Sequence, residues 1–555
     1  MDQLLPAVDD LAGRGFIVES PNEMIALPHH LMREALLHRL SNLRRRAIHR
    51  QLAEALEASP ALQADLHHIA LHAVAGEDVP RARRYGLRVL ADLSQDYEGA
   101  ETVDFVHHLH DLLAPTASPE EMLHLTQALG RLHQSLGQLE TAAQWHRQNL
   151  GIARQMGDPL PQAVAYFDLG ELALVTNDYA AAMTAAQAGL AQIKVEGNAA
   201  QDEFSAGEAA PQPSSPAQRT YTLVGRGHWL MGAALAMEGS DLPAAESHLK
   251  QAVAAQRLSG DLGDLCATLF ELGNVAAQRG ELERALELYQ EARRAAEAGL
   301  VHYFLALSYN NLAYHSLLLG RPRAARQAAE QGLKWAETYG MLGALQYLYS
   351  TEGEINLYLG EWAAAAESFQ RGLALAEELG HLERQAGYRA GLALAARGHP
   401  GDLEGALTLF QEALTLINGQ GYWHLRTEIR LWLAETLLLL GRAAQARPHL
   451  DAALATARAH GRALMMIQAE RLRARLLAAS GDWPGANALF AQTSEQAARL
   501  GLALEVARTQ GAWGEAALRH SPTSSEGRAL LSEARTMLVA HDARAELQAL
   551  DAALQ

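Results

Sequence analysis

The chain has 555 residues, one cysteine, and 64 acidic against 46 basic residues, which give a formal net charge of −18. Such an acidic balance argues against general binding to nucleic acid or anionic membrane, because both require basic surface. Cys266 has no second cysteine with which to form an intramolecular disulfide, so we expect a cytoplasmic protein. The N-terminus lacks the pattern of a signal peptide, and the most apolar stretch, residues 431–441, is too short to span a bilayer. We therefore expect no membrane contact.

Residues 4–27 predict a helix followed by a small hairpin. LLPAVDDLAGRGFIVES (4–20) is amphipathic up to its glycines and then continues into a short apolar strand. EMIAL (23–27) can supply the second strand, and HHLMREALLHRLSNLRRRAIHRQLAEALE (29–57) supplies the next helix. Helix, hairpin and helix is the order of a winged-helix module. We predict such a module for residues 1–57 and a helical transition for 58–118.

A short turn recurs through the rest of the chain. It consists of glycine or a substitute, a polar residue, an apolar residue and, three positions on, alanine, as in GELERA (280–285). The closing alanines are Ala142, Ala182, Ala245, Ala285, Ala325, Ala365, Ala406, Ala446 and Ala486. Their spacings are 40, 63, 40, 40, 40, 41, 40 and 40, so one insertion of 23 residues explains the single large break. We assign the insertion to residues 194–220, whose Pro, Ser and acidic content predicts disorder.

Glycine after a helix followed by polar residues indicates a helix–turn–helix unit, and the small residues allow its two helices to approach closely. This pattern resembles tetratricopeptide repeats, which also carry an aromatic residue in the second helix, here Tyr289, Phe369, Phe410 and Phe490. The usual unit of that family has about 34 residues, so the helices or linkers here must be longer. The resemblance covers roughly residues 119–540. It implies an all-α, right-handed solenoid of about ten helix pairs, in segments 119–193 and 221–555, with the first helices on the concave side.

A second resemblance concerns the region before the repeats. Residues 29–57 and HHIALHAVAGEDVPRARRYGLRVL (67–90) resemble the end of the winged-helix domain, and the helical pair after it, in bacterial STAND signal-transduction ATPases. The resemblance implies a sensor arm in signalling or transcription regulation, with an ATPase domain in a missing segment or on a partner chain. It also implies that His29 could reach the phosphate of a bound nucleotide. No G-x-x-x-x-G-K-[ST] phosphate loop occurs in the chain, so we expect no ATP hydrolysis by this chain alone.

Histidine pairs suggest metal binding, but the rest of the pattern does not support it. The candidate pairs are His68 with His72 and His107 with His110. Structural zinc normally takes four ligands, with cysteines common among them, and the only cysteine lies about 150 residues away. We predict no metal site.

The Arg-rich stretch suggests DNA binding as an alternative function. Arg44, Arg45, Arg46 and Arg50 span nearly two helical turns, and winged helices can bind DNA. Three adjacent arginines project around most of a helix, however, so they cannot all face one groove. We do not expect nucleic acid as a partner. A DNA-binding regulator and a freestanding scaffold or adaptor remain alternatives to the sensor arm.

Ligand binding on the concave face is the function that the architecture favours. No nucleophile elbow or dinucleotide motif occurs, so we expect neither catalysis nor a cofactor. Consecutive first helices place Phe270 with Asn274, Asn310 with Tyr314, and Ser350 with Glu354 at equivalent positions, one repeat apart. An asparagine amide can donate and accept at once, as recognition of an extended peptide requires. We predict that Phe270, Asn274, Asn310, Tyr314 and Glu354 contact a peptide, protein or small-molecule effector. The alternative is that these side chains bond to neighbouring helices.

Overall fold

The computed structural model describes residues 10–12, 14, 17–19, 25–26, 39–59, 66–92, 100–193, 216–239, 241–398, 401–419 and 421–554. Within these residues the chain is helical apart from turns and two short strands. No helix in the described ranges combines the length and apolarity that crossing a membrane would need. The chain divides into two compact units, residues 1–178 and 179–555.

The first unit begins with a small antiparallel hairpin of β1 (Val18–Glu19) and β2 (Ile25–Ala26), in which Val18 lies opposite Ala26. The strands pair where the sequence predicts them. Most other residues of the predicted winged-helix module before residue 39 lie outside the described ranges, so the module stays a prediction. The helices that follow are α1 (Asn42–Ala58), α2 (Leu66–Ala75), α3 (Val79–Arg81) with a π-helical turn (Ala82–Gly86), α4 (Leu87–Asp92), α5 (Ala100–Leu113), α6 (Pro119–Ser135), α7 (Leu139–Met156) and α8 (Pro159–Val175).

The second unit is a succession of helices, most of them 17 residues long. They are α9 (Tyr179–Gln192), α10 (Pro216–Glu238), α11 (Leu242–Ser259), α12 (Leu262–Gln278), α13 (Leu282–Ala298), α14 (His302–Leu318), α15 (Pro322–Thr338), α16 (Leu342–Tyr358), α17 (Trp362–Glu378), α18 (Leu382–Gly398), α19 (Leu403–Leu416), α20 (Trp423–Leu439), α21 (Ala443–Ala459), α22 (Ala463–Ala479), α23 (Trp483–Arg499), α24 (Ala503–His520), α25 (Ser525–Ala540) and α26 (Arg544–Leu554).

From α6 to α25 the helices follow one another as ten successive pairs, so the prediction of an all-α solenoid of about ten pairs is confirmed. The period exceeds that of the usual tetratricopeptide unit because most helices are longer, at 17 residues each. Turn glycines adopt the left-handed conformation, as at Gly280 (φ 82°) and Gly320 (φ 71°). All nine turn alanines are completely buried, which explains why the repeat keeps a small side chain where paired helices touch.

Close packing of an aromatic ring against glycine explains a second recurring feature of the repeat. Phe369 of α17 is 2% exposed and lies between Gly353 of α16 and Gly391 of α18. A Cβ atom at either glycine would lie only 2.4 or 2.7 Å from a carbon of that ring. This repeat therefore needs glycine opposite its aromatic residue on both sides.

The second unit coils until its late repeats contact its early ones. Tyr358 at the end of α16 donates a hydrogen bond from Oη to the carbonyl oxygen of His541, at 3.0 Å. Apolar side chains extend this contact, and Leu317 of α14 shares a buried cluster with Leu531 and Leu538 of α25. Three turn glycines each lie beside a residue 220 or 221 positions later: Gly239 with His460, Gly280 with Leu500, and Gly320 with His541. Divided by the usual spacing of the turn alanines, this separation corresponds to roughly five and a half repeats.

The predicted insertion and the observed helices differ at one end. Helix α10 begins at Pro216, so the last five residues of the 194–220 segment are helical. Proline is favoured at the first position of a helix, because its φ angle already fits and its missing N–H has no partner there. Residues 194–215 lie outside the described ranges.

Candidate functional site

A cavity of about 1070 Å³ lies among the helices of the second unit. Its wall comes mainly from the first helices of seven consecutive pairs, α12, α14, α16, α18, α20, α22 and α24, and from the terminal helix α26. This is the side of the array on which a concave binding surface was predicted. Ligand cavities in proteins commonly measure about 300–1,000 Å³. The cavity is therefore large enough for a small molecule or a short peptide.

The wall repeats with the sequence, because the same position in each of these seven first helices places a side chain on it. This column consists of Asn274, Tyr314, Glu354, Leu394, Glu435, Arg475 and Glu515, each one repeat after the last. A second column, seven residues earlier in the later pairs, consists of Glu428, Gln468 and Arg508. Seven residues are close to two turns of a helix, so both columns lie on the same helix face.

Three of the five predicted ligand-contacting residues line the cavity, namely Asn274, Tyr314 and Glu354. The other two, Phe270 and Asn310, do not. Phe270 is 9% exposed and its ring lies 5.7 and 5.8 Å from those of Tyr289 and Phe304, measured between ring centroids. Asn310 accepts a hydrogen bond from Thr351 Oγ1 at 2.8 Å and donates to Asn311. These two side chains contact neighbouring helices because adjacent repeats cover them.

Asn274 reaches the cavity wall, but its amide is already bonded within the protein. Its Oδ1 accepts hydrogen bonds from Tyr289 Oη at 2.8 Å and from Asn311 Nδ2 at 3.0 Å. Its Nδ2 donates to Glu271 Oε2 at 3.2 Å. The amide therefore connects helices α12, α13 and α14, and a ligand would have to replace one of these bonds to use it.

An acidic site, which we define as Tyr314, Glu354 and Glu428, lies on the cavity wall. Burial and the nearby Glu428 carboxylate raise the pKa of Glu354 to about 8, and burial raises the pKa of Glu428 to about 7. Burial, followed by the two carboxylates, raises the pKa of Tyr314. Within the described ranges neither carboxylate forms an ion pair with an arginine or lysine. The acidic site is therefore only partly ionised at pH 7, because no cation in the described ranges offsets the cost of burying its carboxylates.

His424 is the closest basic group to this site, with its Nδ1 3.7 Å from Glu428 Oε2. It does not supply the missing positive charge, because burial and the field of Arg462 lower the pKa of His424 to about 4. A neutral imidazole at pH 7 leaves the Glu428 carboxylate without an ionic partner.

Other charges on the wall are compensated. Glu435 accepts hydrogen bonds from Arg397 Nη1 at 2.9 Å and from Arg475 Nη1 at 3.3 Å. Burial alone would raise the pKa of Glu435, but the neighbouring arginines lower it to about 2. A second set of the same kind consists of Arg471, Glu505 and Arg508. The wall is therefore rich in charge, most of it satisfied within the protein.

Arg462 is the exception among the arginines of the wall. Its side chain is 7% exposed, and its Nε finds no hydrogen-bond partner among the described residues. No carboxylate in the same ranges forms an ion pair with it, and its Cζ lies 4.8 Å from the centroid of the Trp423 ring. Burial lowers the pKa of Arg462 to about 10, so the guanidinium remains charged at pH 7. Arg462 is also the residue before α22, whose first turn receives no side-chain cap.

The N-terminal candidates are only partly described. His29 lies outside the described ranges, so its nucleotide-sensing role stays a prediction. Arg46 forms an ion pair with Glu77 at 2.6 Å, and Arg50 donates from Nε to the carbonyl oxygen of Gly76, also at 2.6 Å. Two of the four arginines thus fasten α1 to the turn after α2.

One histidine of each candidate metal pair contacts a histidine on another helix. Nδ1 of His72 lies 2.9 Å from Nδ1 of His49, and Nε2 of His107 lies 2.9 Å from Nε2 of His133. Among the residues that the structure describes, no group of three or more His, Cys, Asp or Glu side chains could hold a metal ion.

Comparison with known proteins identifies the repeat at one position. Residues 125–160 match the family model described as tetratricopeptide repeat. No curated protein sequence matches the chain. The fold is a tetratricopeptide-like helical solenoid.

Three solved structures illustrate the likeness. A Rap protein complexed with competence and sporulation factor has 10% identity and a TM-score of 0.49, and the match covers 68% of this chain and 98% of that one. The quorum sensor NprR from B. thuringiensis, in its apo form, has 13% identity and a TM-score of 0.47, with 68% and 99% covered. A STAND protein with a tetratricopeptide repeat sensor from Pyrococcus horikoshii has 14% identity and a TM-score of 0.39, with 80% and 57% covered.

Proposed function

We propose that the second unit binds a small effector or a short peptide in its cavity and is the non-catalytic sensor arm of a regulatory system. The observation that supports this most directly is the cavity of about 1070 Å³, whose wall carries the buried Arg462, with its Nε unpartnered in the described ranges, and the two carboxyl groups of the acidic site. A buried charge without a partner is costly, so a cavity lined by one is a candidate binding site for a ligand that supplies the partner.

The dimensions of the cavity narrow the sequence prediction of a peptide, protein or small-molecule effector. A protein interface of standard size needs about 800 Å² of surface on each partner, which calls for an open face. A cavity of about 1070 Å³ instead suits a ligand of a few hundred daltons. A folded protein would have to bind elsewhere on the unit.

Ligand binding in this position can change the unit as a whole. Residues from several helix pairs face one cavity, so a single ligand would bridge repeats that are far apart in sequence. A ligand shifts a conformational equilibrium by as much as it prefers one state over the other. Because the late repeats also contact the early ones, a bound ligand would favour the coiled state over a more open one.

The proposed signalling context rests on the resemblance of residues 29–57 and 67–90 to STAND proteins. In this proposal the occupied solenoid alters an ATPase or effector domain that the described ranges do not include, either in a missing segment or on a partner chain. The freestanding scaffold and the DNA-binding regulator are the alternatives that a binding experiment should separate from it.

The experiment is equilibrium dialysis of the full chain against a cell extract limited to molecules below about 1 kDa, with mass spectrometry of the retained compounds. Replacing Leu394 on the wall with tryptophan should fill part of the cavity and abolish retention. Leu342→Trp is the matched control, because Leu342 is 44% exposed outside the cavity and should leave retention unchanged. The proposal is wrong if no compound is retained, or if both variants retain the same compounds as the natural sequence. Salt-sensitive binding to duplex DNA would instead support the DNA-binding alternative.

A further inference from the structure

The acidic site specifies part of its ligand by chemistry. Two partly buried carboxylates beside a tyrosine ring, one of which raises the cost of ionising the other, favour a cation over a neutral or anionic group. A protonated amine would compensate Glu354 and Glu428 together, and the face of Tyr314 would add cation–π attraction if the amine lies over it. No group of three ligands capable of holding a metal ion occurs among the described residues, so an organic cation fits better than a metal.

Arg462 specifies the opposite charge. It is more than nine-tenths buried, and its Nε has no partner in the described ranges. A positive residue is unfavourable at a helix N-terminus, where the backbone N–H groups already produce positive potential. The first turn of α22, which follows Arg462, has no side-chain cap, and Leu464 and Met465 of that turn also line the cavity. A carboxylate here would accept from the arginine and from the free N–H groups of the turn.

His424 connects the two charged sites. Its Nδ1 lies 3.7 Å from Glu428 Oε2, and the Cζ of Arg462 lies 4.8 Å from the ring centroid of Trp423, the residue next to His424. The positive and negative sites are therefore neighbours in one cavity. A single small ligand can occupy both.

We infer that the ligand of this cavity is dipolar, with a protonated amine bound at Glu354 and Glu428 and a carboxylate bound at Arg462 and the N-terminus of α22. Free amino acids and short peptides with unblocked ends share this chemistry. The inference depends on the proposed function, since it names the ligand class of the same cavity.

The test measures retention of defined probes by the full chain in equilibrium dialysis with mass spectrometry. One arm contains the twenty standard amino acids, and the other contains a pool of random tripeptides, so the arms distinguish the two sources of the same chemistry. Each pool is supplied with free ends, with the amine acetylated and with the carboxylate amidated. We expect at least one free compound to be retained about tenfold or more over either blocked form, because each blocked form leaves one buried charge unpaired.

Variants assign each charge to its site. The double variant Glu354→Gln with Glu428→Gln should lose the preference for a free amine and keep the preference for a free carboxylate. Arg462→Met should do the reverse. If Arg462→Met does not fold, the double variant still decides, because glutamine has the shape of the protonated glutamate. Arg473→Gln is the control, since Arg473 is exposed on α22 and does not line the cavity.

Retention of free and blocked forms to the same extent would overturn the inference, and so would the retention of no compound from either pool. Neither outcome contradicts the proposed function, which depends on whether the extract yields a retained compound that Leu394→Trp excludes. If the double variant keeps its preference for a free amine, the amine binds elsewhere and the assignment to Glu354 and Glu428 fails.

Discussion

Removing one carboxylate from the acidic site should stabilise the protein at high pH. The protonated form is favoured in the folded state, where the pKa of Glu428 is about 7 instead of 4.5. The contribution of this carboxyl group to the stability of the folded state is therefore complete below pH 4.5 and is lost as the pH rises through about 7. Glu428→Gln introduces a neutral side chain of similar shape, so the variant should not undergo this loss. Glu354, Tyr314 and His424 are the titratable groups beside the mutated position.

The size of the effect follows from the pKa of Glu428. At 1.36 kcal/mol for each pKa unit, a rise from 4.5 to about 7 corresponds to about 3 kcal/mol. The side chain is 23% exposed and water in the cavity screens its charge, so we expect about half of this, about 1.5 kcal/mol. The corresponding change in Tm is this energy divided by the entropy of unfolding. With about 2.1 cal/mol/K per residue over the 377 residues of the second unit, the change is about 2 °C.

Differential scanning fluorimetry of the full chain at pH 5.0 and pH 8.5 measures this difference. Glu428→Gln should melt close to the natural sequence at pH 5.0 and about 2 °C higher at pH 8.5. Glu412→Gln, on the exposed surface of α19, is the control and should show no such dependence. An unchanged or lower Tm for Glu428→Gln at pH 8.5 would refute the reasoning, because the Glu428 charge would then have a partner or be fully hydrated.

Two further predictions concern the packing of the second unit. Gly353→Ala should destabilise it by about 2 kcal/mol, because the added Cβ would lie 2.4 Å from the Phe369 ring. Gly387→Ala should instead stabilise α18 by about 0.5–1 kcal/mol, because the nearest atom to its added Cβ is 3.9 Å away. The two variants should therefore shift Tm in opposite directions, and equal shifts would contradict the prediction. Tyr358→Phe removes the hydrogen bond to the carbonyl oxygen of His541, which should cost about 1 kcal/mol. Amide hydrogen exchange should therefore become roughly five- to tenfold faster at both ends of that contact. Unchanged exchange would show that apolar packing alone holds the two ends together.

The repeat was predictable from the sequence because it depends on local steric requirements. Turn alanines such as Ala285 are completely buried, and turn glycines such as Gly280 have positive φ, as the recurring pattern requires. Each of these requirements concerns two helices that are adjacent in sequence, so the spacing alone reveals it.

The cavity was only partly predictable, because the curvature of the whole array decides which residues face inward. Tyr314 and Glu354, which were chosen by their register, lie on the cavity wall, while Asn310, four residues before Tyr314, is covered by a neighbouring repeat. Glu428 was missed, although it lies two helical turns before Glu435 on the same face, and this spacing could have identified it. Arg462 was missed because it lies in a turn, outside the helical register that guided the search.

Contact after five and a half repeats distinguishes this array from an open solenoid. In an open solenoid each repeat touches only its neighbours, so repeats can be gained or lost one at a time with little effect on the rest. Here Gly320 must reach His541 and Gly239 must reach His460, across the same number of repeats in both cases. Deleting or duplicating one repeat between the contacting residues would shift the later repeats by one full period. The early turn glycines would then no longer lie beside their present partners in the late repeats. The number of repeats is therefore under structural constraint, and variation in length should be tolerated mainly before α10 or after α26.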